Sequence, residues 1–110
     1  MKSKYSKIIL DAATLVSKIP GVSLSGATKT ASAYISAYRD YNEAVNLLGI
    51  ITANLQEVVR YEDTIKKYHK MEDYATEELQ GAVDFHYEKA VRAYKELKQF
   101  IKEREEQHWN

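Results

Sequence analysis

Residues 31–59 read ASAYISAYRDYNEAVNLLGIITANLQEVV, twenty-nine positions with no proline, one glycine (Gly49) and four charges: Arg39, Asp40, Glu43 and Glu57. Proline removes a backbone donor and glycine costs helix entropy, so a stretch this free of both runs as helix. Ionic groups are seldom left out of a solvated helix, so the same stretch is predicted to be the most buried part of the chain. Its apolar positions step by three and four. One line is Leu24, Ala27, Ala31, Tyr34, Tyr38, Tyr41, Val45, Leu48, Thr52, Leu55 and Val59; the other is Leu47, Ile51, Val58, Tyr61, Ile65 and Tyr68. Two adjacent stripes predict a helix covered from two directions, over about residues 27–69.

Outward from this core, the single proline, Pro20, and Gly21 end an earlier helix over about 3–19. Tyr5, Ile8, Ile9, Ala12, Leu15, Val16 and Ile19 share its apolar side. Lys2, Lys4 and Lys7 before Ile8, Ile9 and Leu10 imitate a signal peptide. Asp11 interrupts the run and no small-x-small site closes it, so a mature amphipathic helix is expected. On the other side, Lys66, Lys67 and Lys70 give way to Glu72, Asp73, Glu77 and Glu78. Cations suit a helix carboxyl end and anions an amino end, so a turn falls here and a third helix covers about 73–107. Tyr87, Ala90, Tyr94, Leu97 and Ile101 form its seam, with His86, Ala93 and Phe100 beside it. The fold class is all-α: an elongated antiparallel hairpin or bundle of three helices in one domain, residues 1–110, or four helices if Gly49 breaks the second. Helix 1 is expected to fold back on the start of helix 2.

Charge totals narrow the partners. Sixteen basic and sixteen acidic side chains balance overall, but residues 1–30 carry five lysines against Asp11. The overall balance argues against nucleic acid, which needs a net basic face, and Glu62 and Asp63 break up the cluster of Arg60, Lys66, Lys67, His69 and Lys70. Cysteine is absent, so neither disulfides nor thiolate metal sites are available, and the cytoplasm is the expected compartment. No apolar run approaches the ~20 residues of a membrane span.

Catalytic motifs fail on context. Gly21, Gly26 and Thr28 sit at phosphate-loop spacing, yet Ala27 stands where the lysine should be and no strand precedes it. Glu105 and His108 are the one Glu-x-x-His pair, whereas a helical metal site needs two. No serine–histidine–aspartate set is held at turns. The expectation is no enzyme, no cofactor and no metal.

What remains is surface. A thin three-helix rod has few apolar groups for both a core and long coiled-coil-like seams, so a homo-oligomer is expected. Tyrosine and tryptophan suit interfaces, which makes Tyr34, Tyr38, Tyr41 and Trp109 the candidate partner-binding residues. The expected function is a non-enzymatic protein–protein interaction module: an inhibitor, immunity factor, adaptor or assembly subunit. The alternative is a peripheral membrane-surface protein using basic residues 1–19.

Overall fold

The computed structural model describes residues 3–19, 31–68 and 73–107. Within them the chain forms α1 (Ser3–Ser17), α2 (Ala31–Tyr68) and α3 (Asp73–Gln107), and every element is α-helical. The molecule is a rod of 64 × 20 × 17 Å. That length suits α2, whose 38 residues rise about 57 Å. Helix α2 runs through Gly49 without a break; a Cβ there would meet open space, so the glycine serves no close approach. The third helix begins at Asp73, where the sequence switches from basic to acidic. Residues 27–30 and 69 of the expected second helix, and the turn at 70–72, lie outside the described residues.

Two polar pairs set α2 antiparallel to α3. Arg104 Nε–H donates to Asp40 Oδ1 at 3.1 Å, and His86 Nδ1–H donates to Asn54 Oδ1 at 2.8 Å. In that register Ala44 is level with Leu97, and Ile51 with Ala90. Large side chains on one helix thus meet small ones on the other. Ile51, Leu55 and Val58 from α2 and Leu97 and Ile101 from α3 are the largest fully buried side chains. Burying each contributes about 1.5–3 kcal/mol.

Helix α1 lies along the groove between the other two, parallel to α3. At its start Tyr5 reaches both neighbours: its hydroxyl donates to Glu62 Oε2 at 2.6 Å, and its ring meets Tyr87 edge-on at 6.1 Å. Past its other end Lys18 pairs with Glu105 at 3.9 Å. The helix closes on tightened i→i+3 bonds, Lys18 N–H to the Leu15 carbonyl and Ile19 N–H to that of Val16, both 3.1 Å. Tyr5, Ala12, Val16 and Ile19 join the same core as the hairpin. Helix α1 does not dock on the start of α2 as expected. Ser6 and Ile9 share a small pocket with Leu55, Gln56 and Val59, and Tyr5 bonds Glu62, so the amino end of α1 sits against the later half of α2. Only its carboxyl end, where Lys18 pairs with Glu105, reaches back toward the Asp40–Arg104 level. The stripe Tyr38, Tyr41, Val45, expected to be covered, is exposed instead.

Tyr5 ties stability to pH. Burial, then the bond to the Glu62 carboxylate, pushes its hydroxyl well above the ordinary value of 10.0. The folded state keeps the proton that the unfolded chain loses near pH 10. Its contribution is therefore complete below pH 10 and falls as the pH rises beyond it. Tyr5→Phe is expected to lose about 1.5–3 kcal/mol at pH 7, the worth of a hydrogen bond to a charged acceptor. Thermal melts of both proteins between pH 8 and 12 provide the check. The gap between them should narrow above pH 10, and a constant gap would rule out the linkage.

Candidate interaction surface

Helix α1 covers one side of the hairpin and leaves the other open. On α2, Val59 faces α1, and Ile50, nine residues earlier, lies about 180° round the helix. On α3, Lys98 flanks α1 and Lys89 lies opposite it by the same spacing. The open side carries apolar groups left about half exposed: Ile50 is 45% exposed, Phe85 56% and Tyr68 45%.

At the centre of this face is His86. Its ring is fixed by the bond to Asn54, stacks on Tyr61 at 5.9 Å with 14° between planes, and takes Phe85 edge-on at 5.2 Å. Cations rest on the outer rings: the Arg60 guanidinium is 4.6 Å from the Tyr61 ring centre, and the Lys89 ammonium 5.1 Å from that of Phe85. Arg60 also bonds Glu57, which holds that carboxyl below its usual range. Arg104, paired with buried Asp40, lies over Phe100 at 4.7 Å and closes the far end of the face. Aromatic rings held in one orientation, with charges arranged round their edge, suit contact with another protein: rigid anchors cost little entropy on binding.

The sequence-predicted partner residues fall elsewhere. Tyr38 is 51% and Tyr41 45% exposed, so both are open to a partner. Tyr41 and Val59 are eighteen residues apart, five full turns, which puts Tyr41 on the flank that α1 occupies further along. Tyr38, Tyr41 and Val45 therefore form a second, smaller patch. The Tyr34 side chain and the whole of Trp109 lie outside the described residues, as do His69, His108 and the glycine pair of residues 21–26. Phe85 was the missed signal, an aromatic off the Tyr87–Ala90–Tyr94 seam that the seam does not use.

Among the described residues no three histidine or carboxylate side chains gather as a metal site, and no helix is long and apolar enough to cross a membrane. No protein-family model, curated protein or solved structure matches the chain.

Proposed function

We propose that this protein is a non-enzymatic interaction module, which receives a helix of another protein, or of a second copy of itself, on the open face of the α2–α3 hairpin. The half-exposed Ile50 and Phe85 beside the ordered His86 cluster carry this reading. A bundle helix normally covers such a groove, and α1 does so on the opposite side. Inhibition, immunity, adaptor action or assembly would each work by this contact, with no reactive group required.

The membrane-surface reading has less behind it. The apolar side chains Tyr5, Ala12 and Val16 of α1 are buried in the core, and Leu10, 65% exposed, is its one large apolar group on the outside among the described residues. The test compares wild type, Ile50→Asp with Phe85→Asp, and Tyr38→Ala with Tyr41→Ala. Light scattering reads self-association, and capture of partners from the native host reads hetero-association. Loss in the first variant alone supports the open face, loss in the second alone moves the contact to the tyrosine patch, and loss in neither refutes both.

A further inference from the structure

A different groove, of about 440 Å³, lies between α1 and α3. Its apolar lining comes from Leu15 and Ile101, the latter fully buried. Four lysines surround it, Lys18 from the end of α1 and Lys95, Lys98 and Lys102 from α3, against one carboxylate, Glu105. Spacings of three and four place the α3 lysines on one flank, where like charges repel. Glu105 is engaged with Lys18 at 3.9 Å. Among the described residues no carboxylate comes within 4.0 Å of Lys95, Lys98 or Lys102. Lys98 instead lies 5.3 Å from the Tyr94 ring, whose hydroxyl is pushed up by burial and then by Asp11.

We propose that this groove binds a small amphipathic anion: an acidic head held among Lys95, Lys98 and Lys102, with a short aliphatic body on Leu15. Its volume falls in the range of small-ligand sites, about 300–1,000 Å³. Among the described residues the α3 ammoniums have no carboxylate partner, which the head would supply, and the apolar lining distinguishes the site from one for a bare inorganic ion. This site is separate from the open face, so the two stand or fall independently.

The test is a titration of the full ¹⁵N-labelled chain with sodium decanoate, sodium phosphate and decyltrimethylammonium, each below its micelle concentration. Decanoate should move the Leu15, Lys98 and Ile101 amides saturably, and the other two should not. The triple variant Lys95→Gln, Lys98→Gln, Lys102→Gln should bind decanoate at least tenfold more weakly, with an unchanged circular dichroism melt. Ile50→Asp with Phe85→Asp should bind it as wild type does. The proposal is overturned if decanoate gives no saturable shift, if the cationic amphiphile or phosphate binds as tightly, or if the triple variant keeps wild-type affinity.

Discussion

Leu97→Ala will cost the protein about 2–5 kcal/mol, a large share of the 5–15 kcal/mol that holds a domain folded. Leu97 has no exposed surface and lies level with Ala44, so its neighbour offers no bulk to move into the space. A cavity at that point is framed by two long helices, which cannot collapse on it without shifting register at Asp40–Arg104 and Asn54–His86. Urea unfolding should show a lower midpoint with an unchanged slope. Leu10→Ala, at a position 65% exposed, should stay within about 0.5 kcal/mol. If both variants lost equally little, the hairpin interior would not be tightly packed.

Placing Asp at both Ile50 and Phe85 should weaken association at least a hundredfold, while lowering the stability of the isolated protein by only about 1–3 kcal/mol, so that it stays folded. Two half-exposed apolar groups contribute about half of what full burial would in the free chain. In a complex each would be desolvated, and a carboxylate put there would be buried without a partner. Two decades correspond to about 2.8 kcal/mol, which a pair of central anchors commonly supplies. Sedimentation gives the constant for self-association, and surface binding gives it for a captured partner. Wild-type affinity in this variant would remove the open face from consideration.

Much of the scaffold could be read from composition alone. The lack of proline after Pro20 predicted long helices, and the change from Lys66 and Lys67 to Glu72 and Asp73 placed the start of α3. Which side of α2 would be covered was not legible. Tyr38, Tyr41 and Val45 step by three and four and Leu47, Ile51 and Val58 by four and seven, both helical, and local periodicity cannot rank two apolar stripes. The choice rests on where α1 docks, and that depends on contacts such as Tyr5–Glu62, 57 residues apart. Asp40 was hidden for a like reason: an acidic residue reads as surface until its partner, Arg104, 64 residues away, is known. The open face mixes Ile50 with Asn54 and Glu57, so it has no clean apolar period to detect.

The three helices also differ in how far the chain must travel to bring them together. Asn54 and His86 join across 32 residues, while Tyr5 and Glu62 join across 57 and Lys18 and Glu105 across more still. Closing the nearer loop costs less entropy, so the hairpin zips first and α1 lands on a finished surface. It should also leave first: amide exchange in α1 ought to outpace that in the middle of α2 and α3, because detachment opens one helix and spares two. The rod thus has a removable strut, and its departure would bare the buried Leu55 and Ile101 to whatever is near.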